Sequence, residues 1–182
     1  MMRTAVAAPW RWATVVALVA LLTSGCGVGA KEEADMDTKP VDEATAQFHE
    51  DTAALVDELG IEVESTQMRL RRCEGKKGEL SEDVYHVWVG VRGLAPESNV
   101  DDLIEKRHGL WNDAGWDITR YRHLDSGGVN LAATDPATGY HYSLDSGFEE
   151  DPDAYLVGFF NTPCYRSPDG DVDFGTVDVP EA

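Results

Sequence analysis

From Tyr85 to Arg92 the chain alternates without a fault: Tyr85, Val87, Val89 and Val91 are apolar, and His86, Trp88, Gly90 and Arg92 separate them. Successive side chains of a pleated strand point to opposite faces. The run therefore calls for a sheet with one face buried and the other open.

The rest of the chain supplies what such a sheet needs. Ile61 to Cys73 reads as a strand in which Met68 and Leu70 alternate with Arg69 and Arg71, and Glu74 to Asp83 is a turn rich in Gly and Lys. Phe48, Leu55, Val56 and Leu59 fall at helical spacing, with Gly60 as the stop. Asn99 or Ser98 caps a second helix whose apolar stripe is Val100, Leu103, Ile104 and Trp111, and Gly115 ends it. Four short strands follow: 116–124, 129–134, 140–144 and 155–161. The links Asp125-Ser126-Gly127-Gly128 and Asp135-Pro136-Ala137-Thr138-Gly139 are tight, so the first three form an antiparallel meander. The expectation is an α+β fold, with an antiparallel sheet of five to six strands and two helices packed on one face. This two-layer sandwich would be a single domain over 42–166.

The N-terminal region is built differently. Arg3 and Arg11 precede an apolar stretch from Trp12 to Leu22, and no acidic residue occurs before Cys26. About 11 residues at about 1.5 Å each fall short of a hydrocarbon core about 30 Å thick, which suits the apolar part of a signal peptide. No Arg-Arg pair precedes it, favouring the general secretory route. Leu22-Thr23-Ser24-Gly25-Cys26 resembles the lipobox of bacterial lipoproteins, with Thr23 where that motif usually carries Leu, Val or Ile. The resemblance implies a signal peptide over 1–25, cleavage before Cys26, and a diacylglyceryl group on the Cys26 thiol. Two acyl chains hold a protein stably at a membrane. The alternative is a plain secretory signal with an incidental cysteine. On the lipobox reading, residues 26–41 are the lipidated cysteine and a disordered acidic tether with a reach of about 20 Å, and 167–182 an acidic, flexible tail.

If Cys26 carries lipid, Cys73 and Cys164 remain as one pair, which in an oxidising compartment predicts a disulfide. Metal binding by the two, without a Cys-x-x-Cys spacing, is the weaker alternative. The formal net charge is −19, and loss of the signal peptide would remove two arginines and no acidic residue. Such a surface repels nucleic acid and anionic headgroups, so no nucleic-acid partner is expected.

Motifs for chemistry are few. Leu-Asp-Ser-Gly occurs at Leu124–Gly127 and again at Leu144–Gly147. Asp-Ser-Gly holds the catalytic aspartate of aspartic proteases, but copies this close leave no room for two lobes, and both read as turns. Asp169, Asp171 and Asp173 alternate like calcium ligands, yet Phe174 and Pro180 stand where an EF-hand loop needs Gly and Glu. The histidines show no metal spacing, and neither a nucleophile elbow, a P-loop nor a dinucleotide fingerprint occurs. No catalytic residue, cofactor or metal is nominated.

Charge segregation is the remaining signal. Arg69, Arg71, Arg72, Arg92, Arg120 and Arg122 all lie in or beside strands of an acidic chain. Alternation puts His86, Trp88 and Arg92 on the face away from the helices, and His141 joins them there as a candidate. Such a cluster suits an anionic ligand with a flat apolar part. The plainer reading has these arginines pairing with carboxylates and screening the sheet. Lipobox, acidic tether and cysteine pair together resemble small lipoproteins of high-GC Gram-positive bacteria, many without assigned activity. That resemblance implies a lipid-anchored protein on the extracytoplasmic face of the cell membrane. Two classes stay open. One is a binding or adaptor domain for an anionic small molecule, a wall polymer or a surface protein. The other is an extracytoplasmic hydrolase whose site the sequence does not reveal.

Overall fold

In the computed structural model, residues 36–95, 99–125, 127–147 and 154–178 are described. Cys26 and the region read as a signal peptide lie outside them. In chain order the elements are α1 (Val41–Glu58), β1 (Glu62–Glu74), β2 (Leu80–Leu94), α2 (Val100–Asp113), β3 (Asp117–His123), β4 (Val129–Thr134), β5 (His141–Asp145), β6 (Tyr155–Asn161), β7 (Tyr165–Arg166) and β8 (Gly175–Val177).

Both helices stop where glycine allows a left-handed turn. At the end of α1, Gly60 takes φ 67°. Its N–H donates to Asp57 O at 3.0 Å, and the Ile61 N–H donates to Val56 O at 3.3 Å. At the end of α2, Gly115 takes φ 78°, with Gly115 N to Asn112 O at 3.1 Å and Trp116 N to Trp111 O at 2.9 Å. Each pair is a Schellman motif, which satisfies carbonyls the helix leaves open and brings an apolar residue beyond the helix back onto its last turn. In α2 that contact is between two indoles, Trp111 and Trp116, stacked 4.7 Å apart. The α2 N-terminus is capped by Asn99, whose side chain accepts from Asp102 N at 3.2 Å.

The sheet has eight strands, all antiparallel, in the order β3-β4-β5-β6-β2-β1-β8, with β7 pairing beside β2. The α+β class stands, but the expectation of five to six strands was too low. β7 and β8 are the additions, and both fall after Pro163, where length and composition give no strand signal. The expected turn over Glu74–Asp83 is also shorter, because β2 already begins at Leu80.

Tyr85, Val87, Val89 and Val91 are buried as the alternation requires. They join Met68, Leu70, Leu131, Ala133, Tyr142, Leu144 and Phe160 in one core with Phe48, Val56, Val100, Ile104 and Trp111 from the helices. Phe48 meets Tyr140 edge-on at 4.8 Å, and Trp111 lies 6.0 Å from Tyr142. Each large apolar side chain so buried contributes about 1.5–3 kcal/mol. Arg107 is also buried on the inner side of α2 and reaches Glu58 of α1 at 3.1 Å.

The ends of the domain extend further than expected. Residues 36–40, read as part of the tether, bond to the chain near β7: Lys39 N donates to Arg166 O at 3.0 Å, and Arg166 N to Asp37 O at 2.9 Å. The Tyr85 hydroxyl donates to Lys39 O at 2.8 Å. Residues 167–178, read as a loose tail, return along the sheet. Val172 is buried, its N–H donates to Glu82 O at 2.8 Å, and Gly175–Val177 pair with Met68–Leu70.

Candidate functional site

Directly paired residues of antiparallel strands share a face, so the register maps the side away from the helices. That side is partly exposed around Trp88, Phe159 and Arg71 but buried at Asn130, Ala132, Ser143 and Val157. One row runs Arg69, Trp88, Asn161, His141 and Thr134, across β1, β2, β6, β5 and β4. The next runs Gln67, Gly90, Phe159, Ser143, Ala132 and Arg120, and a third runs Ser65, Arg92, Val157, Asp145, Asn130 and Arg122. Arg71 pairs with His86 one row further on.

The residues expected together on this face, His86, Trp88, Arg92 and His141, are all on it, but they do not converge. Trp88 and Arg92 are four residues apart on one strand, about 13 Å. His141 lies two strands from Trp88, about 10 Å. Arg92 belongs to another neighbourhood: its guanidinium lies 5.0 Å over the Tyr155 ring and Nε donates to the Tyr155 hydroxyl. His141 is held by Thr134, with 3.2 Å between Nδ1 and Oγ1.

A tighter cluster surrounds Trp88. Its indole lies across Gly90, where a Cβ would come within 2.5 Å of the ring. Phe159, 40% exposed, stacks beside it at 6.1 Å. The Arg71 guanidinium sits 4.5 Å from the indole and that of Arg69 5.8 Å from it. Arg69 and Arg71 make no ion pair among the described residues, and Arg69 Nε is buried without a hydrogen-bond partner there. Other arginines are matched: Arg72 with Glu82 at 2.6 Å, Arg166 with Asp83 at 2.5 Å, and Arg120 with Asp145 at 4.0 Å. Arg122 Nε donates to Asn130 Oδ1 at 2.9 Å. Screening by carboxylates therefore accounts for Arg72 and Arg120, but not for Arg69 and Arg71. Phe159 went unnoticed in the sequence because Phe160 follows it, and a bare Phe-Phe pair does not say which ring faces inward.

Charge on this face is set by burial. His86 has its pKa lowered, first by burial and then by Arg71. His141 is lowered in the same way, with Arg120 as the second cause. The imidazoles are thus neutral at neutral pH, and protonation of either needs a pH lower than for a free histidine. Asp145 is raised, chiefly by burial, against the opposing pull of Arg120 and of its hydrogen bond with Asn130.

His141, Ser143 and Asp145 alternate along β5 on this face, the residue types of a hydrolytic triad. The Ser143 hydroxyl accepts from Arg120 at 2.8 Å, while His141 is engaged with Thr134. No hydrogen bond links the hydroxyl to the imidazole among the described residues, so the base is not poised on the nucleophile. The glycines that end the two Leu-Asp-Ser-Gly copies, Gly127 and Gly147, do come into close backbone approach. The second copy begins inside β5, so it is not wholly a turn. Asp125 stands exposed on the β3–β4 link, whereas Asp145 bonds to Asn130, so the pair shares no proton.

Asp169, Asp171 and Asp173 line a cleft with Val41, Leu70, Val172 and Phe174. Their oxygens do not converge as metal ligands; among the described residues, the group that does so is Cys73, His86 and Cys164. Cys73 and Cys164 form a disulfide, with Cα atoms 6.2 Å apart. No helix among the described residues is long and apolar enough to cross a membrane. Comparison with family models, curated proteins and solved structures finds no match to the chain.

Proposed function

We propose that this chain is a lipid-anchored binding domain on the extracytoplasmic face of the cell membrane, and that its open sheet face takes an anionic ligand with a flat apolar portion. The anchor rests on the lipobox-like run ending at Cys26 and on the cysteine parity. The binding reading is carried by one observation: the Arg69 and Arg71 guanidiniums lie against the Trp88 ring without a carboxylate partner among the described residues, in a chain of formal charge −19. An unmatched cation beside an aromatic plane offers a fork for carboxylate or phosphate and a surface for stacking. A flat surface of this kind favours binding over catalysis.

Calorimetric titration with 1-naphthyl phosphate tests the face. Binding should weaken as salt is added. Trp88→Ala and Arg71→Gln should each reduce affinity by about tenfold, a loss of about 1.4 kcal/mol, with the melting temperature nearly unchanged. A large fall in melting temperature for Trp88→Ala, or affinity indifferent to both changes, would sink the reading. For the anchor, Cys26→Ala expressed in the host should abolish partition into detergent or leave the precursor unprocessed.

A further inference from the structure

Beyond the Trp88 shelf, β2 carries His86 to the end of β1, where Cys73 lies, and the link between β6 and β7 brings in Cys164. The His86 Nδ1 is 3.6 Å from the Cys73 Sγ, and the three donor atoms all lie within 4.8 Å of one another. We propose that Cys73, Cys164 and His86 are a latent zinc site, closed while the cysteines are joined and opened when their disulfide is reduced.

Bond lengths support the geometry. With Zn–S about 2.3 Å and Zn–N about 2.05 Å, a tetrahedral angle sets sulfur and nitrogen about 3.6 Å apart, the separation that Cys73 and His86 already show. The two sulfurs must part to about 3.8 Å, a rotation about Cα–Cβ bonds at a Cα separation of 6.2 Å. Two thiolates and one neutral imidazole leave a fourth tetrahedral position open, the pattern of a reactive rather than a purely structural zinc. The ligands come from β1, from β2 and from the link after β6, so the metal would tie the strands on either side of β2 as the disulfide does. Cys73 is largely buried while Cys164 is partly exposed, so a reductant meets Cys164 first.

The chemistry balances with a dithiol donor. Its thiolate attacks the Cys164 sulfur, the sulfur–sulfur bond breaks, and Cys73 leaves as the thiolate. The donor's second thiol then resolves the mixed disulfide, ending oxidised as its own disulfide with two free thiols on the protein. Zinc binding releases the two thiol protons.

The test uses the full chain in a Cys26→Ala background, reduced with a phosphine in anaerobic buffer, and cobalt(II) as the spectroscopic probe. Expected is one equivalent of cobalt, with a thiolate charge-transfer band that zinc abolishes, and no band for the oxidised protein. His86→Ala should weaken binding by about tenfold or more, while Trp88→Ala leaves the band intact, separating this site from the anion face. If reduction alone unfolds the chain, zinc must restore its circular dichroism spectrum. Absence of the band in folded reduced protein, failure of zinc to restore an unfolded one, or equal affinity in His86→Ala would each overturn the proposal.

Discussion

Gly90 and Gly93 stand three residues apart on β2, and an added methyl group would meet opposite fates. At Gly90 a Cβ would meet the far edge of the Trp88 ring at 2.5 Å, and that ring can swing outward. At Gly93 it would meet the Glu62 carbonyl oxygen at 2.5 Å and Ile61 Cγ2 at 2.6 Å, where backbone must give. Gly90→Ala should thus change stability by less than about 1 kcal/mol, the entropy gained against the unfolded chain offsetting the displaced ring. Gly93→Ala should cost about 1–3 kcal/mol. Urea denaturation of both variants checks this, and equal losses would contradict it. The ring position matters for the shelf, so Gly90→Ala should also weaken anion binding. Alternation alone revealed that Trp88 faces outward. That it lies flat could not be read there, because the ring direction depends on the space Gly90 leaves. The histidines repeat the lesson: residue type suggests a charge change near neutral pH, while burial moves it lower. A histidine with a lowered folded pKa binds its proton more readily when unfolded, so its stabilising contribution is present above about pH 6.5 and is lost as pH falls below it. Wild type should therefore lose stability relative to a His86→Gln/His141→Gln variant between about pH 7 and 5. Parallel pH profiles for the two proteins would contradict the shift.

At the scale of elements, long patterned segments were legible and short ones were not. α1, α2 and β1 to β6 each carry their own period, glycine stop or tight turn, and the sequence places them to within a few residues, except at the start of β2, which reaches back to Leu80 in the expected turn. β8 has three residues, two of them exposed, and the short alternation before it, Val172 and Phe174 against Asp171 and Asp173, breaks at Gly175. It exists because β1 offers an unpaired edge at Met68–Leu70 and because Val172 and Phe174 find cover against the domain. The Arg72 guanidinium, 4.1 Å over the Phe174 ring, adds a cation–π contact. Such a strand is specified by its partner rather than by itself. Deletion from Val172 onward should therefore cost stability, about 1–3 kcal/mol, by exposing Leu70 and removing both apolar contacts. It should also speed hydrogen exchange at the amides that β8 protects on β1. Unchanged stability and exchange would return this segment to the status of a loose tail.

Taken whole, the molecule combines a large like-sign charge with one covalent cross-link between its first strand and its last quarter. Cys73 and Cys164 are 91 residues apart in sequence, and the bridge joins the two sides of β2, since β1 and β6 both pair with that strand. Parity and an expected oxidising compartment sufficed to predict the cysteine pair, but not to show His86 beside it, because that depends on the register between β1 and β2. Closing so long a loop removes freedom chiefly from the unfolded chain, worth about 4–5 kcal/mol in the chain-entropy model. That is a large share of the roughly 5–15 kcal/mol that keeps a domain folded. Charge should enlarge the effect. An unfolded chain of formal charge −19 repels itself and expands, and the bridge limits that expansion most at low ionic strength. Cys73→Ser/Cys164→Ser should accordingly lose several kcal/mol, with the deficit greatest at low salt and shrinking as salt screens the carboxylates. Urea midpoints for both proteins, measured at low and high salt, give the comparison. A deficit independent of salt would confine the role of the bridge to loop closure. A deficit below about 1 kcal/mol would mean that the strands flanking β2 hold without it.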